Sequence, residues 1–172
     1  CKAVIIVSIC NNYQHIKKLI DAGTKVLAFE QDVNLDCNKV GFDYFKGGFM
    51  ATEFLINNGF DEIGFISSPL TRNSRVQVFD GYKKALKKYN IPFKEEFVKV
   101  AKNEINNIDG IGDYENGIEQ VSKMLSDGKL PKSIFCINDM TAIGVMRKLQ
   151  DEGLDIPNDV SIIGFDNINF SH

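Results

Sequence analysis

Apolar and polar residues follow one another along this chain in blocks that predict alternating strands and helices. Short β-branched and aromatic runs are each followed by a longer segment whose apolar positions recur every three or four residues. The pattern predicts an α/β fold with parallel sheets and helices on both faces. The predicted strands are residues 3–8, 25–29, 39–42, 62–67, 97–101, 132–137 and 160–165, and the predicted helices are residues 12–22, 46–58, 73–89, 113–126 and 139–152.

Helix ends and one long loop punctuate this pattern. A glycine follows four of the periodic segments, as a left-handed helix terminus requires, at positions 23, 59, 128 and 153. Residues 102–112 are rich in Asn and Asp, and we expect them to form a surface loop or a lid.

The last forty or so residues are the most informative for function. Residues 133–137 read as a buried central strand, and either Asn138 or Asp139 caps the helix that follows. The chain then returns to a strand that ends at Phe165 and is followed by Asp166, so the unit is strand, crossover helix and parallel strand. Both polar ends therefore lie at the carboxyl edge of the sheet, where open parallel sheets bind ligands.

Polar side chains also follow the other predicted strands. Carboxylates and amides suit a polyhydroxylated or amide-bearing ligand, and Phe29, Phe165 or Phe170 could stack on a sugar face. The structural alternative is that Asp43 and Asp139 are helix caps and Asp166 forms a turn. The strand-end residues are Glu30, Ser67, Ser68, Asn138, Asp139, Asp166 and Asn167.

Composition narrows the function classes. With 44% hydrophobic and 25% charged residues in 172, the chain is typical of a soluble globular protein. A net charge of −3 disfavours nucleic-acid contact, and the lysines of residues 83–88 lie opposite an apolar helix stripe. No apolar run is long enough to span a membrane, and the opening AVIIVS lacks the pattern of an export signal, which favours the cytoplasm.

The sequence matches none of the catalytic and metal-binding motifs that it partly resembles. Residues 32–43 begin like a calcium loop, but Cys37 stands where the turn needs Gly. Gly110 and Gly112 lack the third glycine of a dinucleotide fingerprint, and His15 lies beside no plausible nucleophile. Cys136 reads as a buried small hydrophobe. We therefore expect no catalytic residue, no metal and no cofactor.

Three segments of the chain carry motifs in a recognisable order and spacing, and the likeness covers nearly all of it. They are GFDYFKGGFMATEFLINNGFDEIGFISSPL, DGYKKAL and IFCINDMTAIGVMRKLQDEGLDIPNDVSIIGFDN. Together they resemble the effector-binding core of bacterial transcription regulators of the lactose-repressor family. That resemblance implies a periplasmic-binding-protein-like fold, in which two α/β subdomains close over a sugar or sometimes a purine. It makes residues 1–42 the latter half of the N-terminal subdomain and residues 43–172 a nearly complete C-terminal one.

The same resemblance implies an effector site. Asn138 and Asp166 match the family's contact positions, Glu30 stands in place of a contacting Asp, and Ser68 ends a strand beside them. The family's usual effector-binding arginine is replaced by Val78, so Arg72 or Arg75 would have to substitute for it. Ser74 is included because the segment 72–74 is similar to the ligand loop of purine-responsive members.

The sequence thus predicts the effector-binding domain of a cytoplasmic transcription regulator, with a carbohydrate as the favoured effector. The resemblance further implies a homodimer, with the helix at residues 139–152 in its interface, and DNA contact only through a headpiece outside these residues. An exported sugar-binding protein of a transport system is the nearest alternative. An enzyme of the flavodoxin-like or Rossmann class is the third, and a nucleotide bound to purified protein would favour it.

Overall fold

The chain folds into two compact units, Cys1–Asp43 and Tyr44–His172. The computed structural model describes residues 2–7, 13–30, 35–104 and 111–169. Within those ranges every strand pair is parallel, and a helix lies between each two successive strands except between Lys25–Phe29 and Asn38–Val40. The predicted α/β class is confirmed. No helix in the described ranges is long and apolar enough to cross a bilayer.

The first unit is a small parallel sheet with one described helix. Its strands pair in the order β1-β2-β3, and Ile6, Ile16 and Val26 form its buried core. Its elements are β1 (Ala3–Ile6), α1 (Gln14–Asp21), β2 (Lys25–Phe29) and β3 (Asn38–Val40).

The second unit is a four-stranded parallel sheet. Its strands are β4 (Ile63–Ser67), β5 (Val98–Val100), β6 (Ser133–Cys136) and β7 (Ser161–Ile163). They pair in the order β5-β4-β6-β7, and the central strands β4 and β6 are buried along their whole length. Its helices are α2 (Tyr44–Asn57), α3 (Asn73–Lys88), α4 (Ile111–Ser126) and α5 (Asp139–Asp151), with a short 3-10 turn at Glu95–Phe97.

Two hydrophobic clusters cover the opposite faces of this second sheet. Successive side chains of a strand point to opposite faces, so Phe65 of β4 packs with α2 and α3, and its neighbour Ile66 packs with α4 and α5. Phe135 and Cys136 of β6 divide in the same way. The continuous apolar runs of the sequence are therefore strands covered on both faces, as predicted.

In each of the two helix pairs, α4 with α5 and α2 with α3, two glycines allow the helices to pack closely. A Cβ atom at Gly117 or Gly144 would strike a backbone carbonyl of the other helix, so α4 and α5 touch backbone to backbone. Gly48 and Gly81 do the same for α2 and α3. These contacts fix where the first turns of the helices lie at the carboxyl edge of the sheet.

Several predicted boundaries shift in the structure. The strand expected at residues 39–42 is Asn38–Val40 in the structure. Its partner β2 ends at Phe29, because Glu30 has a φ of 54° and leaves the extended conformation. Phe29 pairs with Val40, so the pairing of the two strands ends there. The helix expected from residue 113 begins at Ile111, so the end of the predicted loop is helical. The four glycines expected at helix ends all have positive φ, between 63° and 91°.

Replacement of Gly144 by Ala should destabilise the second unit. Ala in an ordinary helix is more stable than Gly, but here the added methyl group must push α4 from α5, at a cost of about 1 to 3 kcal/mol. Urea unfolding measures the change. Gln150→Ala, at an exposed position of the same helix, is the control and should stay within about 0.5 kcal/mol of the original. An unchanged midpoint in Gly144→Ala would contradict this backbone contact.

Candidate functional site

The carboxyl edge of the second sheet brings several of the predicted residues together. Ser68 directly follows β4, Asn138 follows Ile137 after β6, and Asp166 comes three residues after β7. Because β4 and β6 are neighbours in the sheet, Ser68 and Asn138 lie at the same edge. The first turn of α4 lies beside them and contributes Asp113.

Asp113 joins these two strand ends through its carboxylate. The Ser68 hydroxyl donates to Asp113 Oδ1 at 2.6 Å, and Asn138 Nδ2 donates to Oδ2 at 3.0 Å. Asn116 Nδ2 donates to the Ser68 hydroxyl at 3.4 Å, and Gln120 Nε2 donates to Asn116 Oδ1 at 3.2 Å. We call these five residues the edge cluster.

Four of the five residues of the edge cluster are buried, and Asn138 is half-buried. Asp113 is 8% exposed, Asn116 and Gln120 are each 1% exposed, and Ser68 is 5% exposed. A buried carboxylate is costly unless donors surround it, and hydrogen bonds to a charged group are worth about 1.5 to 3 kcal/mol. The first turn of α4 also favours the negative charge of Asp113, because the helix dipole is positive there.

Asn138 has a structural role as well as a place in this cluster. It is the N-cap of α5, and its Oδ1 accepts from the Thr141 backbone N–H at 2.9 Å. Its amide nitrogen meanwhile donates to Asp113. Asn138 therefore both caps α5 and belongs to the edge cluster, because each end of its amide makes one of these hydrogen bonds.

Asp139 ties the end of β7 to the start of α5 and is not the cap of that helix. Its backbone N–H donates to the Phe165 carbonyl at 2.9 Å, and its Oδ2 accepts from the Ile168 N–H at 2.8 Å. Between these anchors Asp166 and Asn167 have φ values of 107° and 57°, which Asp and Asn tolerate better than other non-glycine residues. Asp166 thus lies exposed in a turn held by Asp139.

Arg75, rather than Arg72, is the buried arginine of this region. It is 8% exposed, and it donates to the Pro69 carbonyl at 3.0 Å and to Glu104 at 2.7 Å. Arg72 precedes α3 with its side chain exposed, and Ser74 is half-buried in the first turn.

The Glu104 carboxylate accepts hydrogen bonds from two residues, Thr71 and Arg75. Thr71 Oγ1 donates to its carboxylate at 2.7 Å. Partial burial acts to raise the pKa of Glu104, but the hydrogen bonds from Thr71 and Arg75 and the charge of both arginines outweigh it. The pKa therefore lies below its ordinary value. Glu104 follows β5, and these hydrogen bonds hold its carboxylate beside the first residues of α3.

A small polar pocket opens between Glu104 and the edge cluster. It has room for about one water-sized molecule. Its wall consists of the β4 end, the residues after β5 and the first turn of α4. The lining residues are Ser68, Ala101, Asn103, Glu104, Gly112, Asp113 and Asn116.

Glu30 lies in the first unit and is described there by itself. It ends β2 with an exposed side chain, and its backbone N–H donates to the Val40 carbonyl at 2.8 Å. Its neighbour Phe29 is partly exposed and packs edge-on against Phe42, with 6.5 Å between ring centroids. Phe170, the third aromatic candidate, lies outside the described residues.

Sequence reasoning missed the centre of the edge cluster. Asp113, Asn116 and Gln120 are spaced by three and four residues, so they share one face of α4, and that face is buried. Three polar residues at helical spacing were the available signal. The sequence analysis predicts only the start of a helix at Asp113.

Metal and nucleophile chemistry find no support in the described part of the chain. No three His, Cys, Asp or Glu side chains there are placed to hold a metal ion. Asp32 and Asn34, which opened the calcium-like pattern, lie outside it. Cys136 is fully buried, and burial together with the nearby Asp139 raises the pKa of its thiol, so it acts as a core residue.

Comparisons with known proteins agree with this architecture. Residues 52–171 match the sequence profile of the periplasmic binding protein-like domain. The HTH-type transcriptional repressor PurR of Actinobacillus pleuropneumoniae serotype 3 is 37% identical over 127 residues. That alignment covers 74% of this chain and 35% of the repressor, so the chain spans about a third of the length of such relatives.

Solved structures extend the likeness across the chain. A sugar-binding transcriptional regulator of the LacI family from Escherichia coli, complexed with phosphate, superposes with a TM-score of 0.84 at 27% identity, covering 99% of this chain and 59% of that one. The Escherichia coli transcriptional repressor ascG gives 0.81 at 27%, covering 98% and 59%. The chain therefore belongs to the periplasmic binding protein-like family, and it is similar to part of the effector-binding core of LacI-family transcriptional regulators.

Proposed function

We propose that this chain binds a small-molecule effector within a longer bacterial transcription regulator, and that the bound effector changes the affinity of that regulator for DNA. The edge cluster is the observation that carries the proposal. It places a buried carboxylate, a hydroxyl and amides beside a pocket at the carboxyl edge of a parallel sheet, where such sheets bind ligands. The PurR and ascG repressors are the relatives that support a regulatory role.

The two units correspond, in this proposal, to two parts of one ligand-binding core. Residues 1–42 would be the latter half of the N-terminal subdomain, and residues 43–172 most of the C-terminal one. The division of the chain after Asp43 supports that assignment.

The proposed effector contacts are Glu30, Ser68, Arg72, Ser74, Asn138 and Asp166. Of the two candidate arginines, Arg72 is the better contact, because Arg75 is buried against Pro69 and Glu104. A carbohydrate is the favoured effector, since carboxylates and amides bind adjacent hydroxyl groups well. The LacI-family neighbour described as sugar-binding supports this class.

We further propose that the regulator is a cytoplasmic homodimer without enzymatic activity or a cofactor. α5 would contribute to the dimer interface, since its Met140, Ile143 and Met146 are only half-buried in this chain. An exported sugar-binding protein has the same fold, but the repressors among the relatives favour a regulator. DNA would be contacted by a headpiece that is not part of these residues.

The proposal predicts that Asn138→Ser and Asp166→Asn weaken effector binding in the full-length protein. Asn138→Ser replaces the amide by a shorter hydroxyl, and Asp166→Asn replaces the charged carboxylate by a neutral amide, so each change removes a hydrogen bond that the ligand needs, at a cost of about 1 to 3 kcal/mol. Ser keeps the cap of α5, and Asn tolerates the positive φ of residue 166. A thermal-shift screen of monosaccharides, disaccharides, sugar phosphates and purines finds the ligand, and calorimetry measures each affinity.

Asn57→Ser is the control, because Asn57 lies exposed at the end of α2. It should bind the same ligand as tightly as the original protein. If Asn138→Ser and Asp166→Asn both fold and also bind with unchanged affinity, the site does not lie at the strand ends.

The proposal also predicts that the 172-residue chain does not recognise duplex DNA by sequence. Its net charge is −3, and two of the lysines on α3 are paired, Lys83 with Asp80 and Lys88 with Glu53. Selection from a pool of random-sequence duplexes at near-physiological salt should enrich no sequence. Enrichment of one sequence that then binds with nanomolar affinity would refute the prediction.

A further inference from the structure

The start of α5 holds two separate parts of the proposed site. Asn138, the N-cap of this helix, belongs to the edge cluster. The next residue, Asp139, contacts the chain on both sides of Asp166. Its backbone N–H donates to the Phe165 carbonyl at 2.9 Å, and its Oδ2 accepts from the Ile168 N–H at 2.8 Å. Two successive residues of one helix therefore bind the two polar regions of this edge.

The turn between the two hydrogen bonds of Asp139 has an unfavourable backbone conformation. Asp166 and Asn167 have φ values of 107° and 57°. Non-glycine residues rarely adopt positive φ, and they keep it where the surrounding structure holds them there. The hydrogen bond from the Ile168 N–H to the Asp139 carboxylate is one contact that holds this turn. Its removal would allow the turn to take more favourable conformations.

The Asp139 carboxylate is itself held in one place. The residue is 7% exposed, and its Oδ1 lies so close to Gly164 that a Cβ atom added there would be 2.2 Å away. Asp139 also lies in the first turn of α5, where the helix dipole favours a negative charge. Asp166, in contrast, is exposed. Asp139 therefore supports the turn from inside the protein, and Asp166 faces the side from which a ligand arrives.

We infer that Asp139 is a positioning residue for effector binding, which holds Asp166 in the conformation that contacts the effector without contacting the effector itself. This inference rests on the proposed function, in which Asp166 is an effector contact. Without the Asp139 carboxylate, the turn would have the binding conformation in only a fraction of the molecules. The apparent dissociation constant rises in proportion as that fraction falls.

The variants Asp139→Ala and Asp139→Asn test this inference in the full-length protein. Ala removes the acceptor for the Ile168 N–H, whereas Asn keeps an acceptor oxygen in a side chain of the same shape. Calorimetry uses glucose, cellobiose, glucose 6-phosphate and hypoxanthine as probes, together with any compound that the thermal-shift screen finds. For each probe that binds the original protein, Asp139→Ala should bind about tenfold more weakly. Asp139→Asn should recover most of that loss.

Asp151→Ala is the matched control for the loss of an aspartate from α5. Asp151 lies exposed at the other end of the same helix and pairs with Arg147. Its replacement should leave the affinity for each probe unchanged. Gly164→Ala supplies a second test if Asp139→Ala does not fold, because the added methyl group must displace Asp139 Oδ1. It should weaken binding in the same direction.

A double-mutant cycle with Asp166→Asn separates positioning from a general effect on stability. If Asp139 acts through Asp166, the two losses of affinity do not add. Asp139→Ala should then weaken binding by less than about threefold in the Asp166→Asn protein. Hydrogen exchange of the Ile168 amide should also become faster in Asp139→Ala than in Asp139→Asn. A residue that only stabilised the fold would leave the affinity of the folded protein unchanged.

The outcomes separate this inference from the function on which it rests. Unchanged affinity in folded Asp139→Ala or Gly164→Ala, or additive losses in the double variant, overturns the inference while the effector-binding function stands. If neither the four probes nor the wider screen of sugars and purines gives a compound that binds, the proposed function fails and the inference fails with it.

Discussion

The buried carboxylate of Asp113 is the interaction on which the rest of the site depends. It accepts hydrogen bonds from Ser68 after β4 and from Asn138 after β6, and it lies in the first turn of α4. A carboxylate with so little exposure to water requires its donors, so the two strand ends and the helix cannot move apart independently without a large cost. The polar edge is therefore preorganised before any ligand arrives, which reduces the entropy that binding must overcome.

The hydrophobic parts of the second unit hold that carboxylate in place. Gly117 and Gly144 let α4 and α5 approach until their backbones touch, and this contact sets the position of the first turn of α4. The β4 and β6 strands are buried on both faces, so their ends lie at fixed heights on the sheet. The turn that carries Asp166 is held separately by two hydrogen bonds of Asp139, one from its backbone N–H to Phe165 and one from the Ile168 N–H to its carboxylate. The packing of the helices and strands therefore sets the positions of the polar residues at the carboxyl edge of the sheet, and their hydrogen bonds hold them there.

The sequence was sufficient for the elements because each one has a local signal. Buried strands appear as apolar runs, helices as apolar positions at helical spacing, and helix ends as glycines with positive φ. The strand-end candidates Ser68 and Asn138 followed from the same logic. Asp113 could not be predicted in this way, because its partner Ser68 is 45 residues away in the sequence. No local sequence pattern shows which helix turn lies beside which strand end. The choice between Arg72 and Arg75 likewise depended on Glu104, which is distant along the chain from both.

A double-mutant cycle between Ser68 and Asp113 tests the central role of the carboxylate most directly. Urea unfolding of the chain is measured for Ser68→Ala, Asp113→Ala and the double variant. If Asp113 depends on the Ser68 hydroxyl, the two changes are not additive, and the coupling energy should be about 1 to 3 kcal/mol. Unfolding free energies that add within about 0.5 kcal/mol would show that the two side chains are independent, and would contradict the account of a preorganised edge.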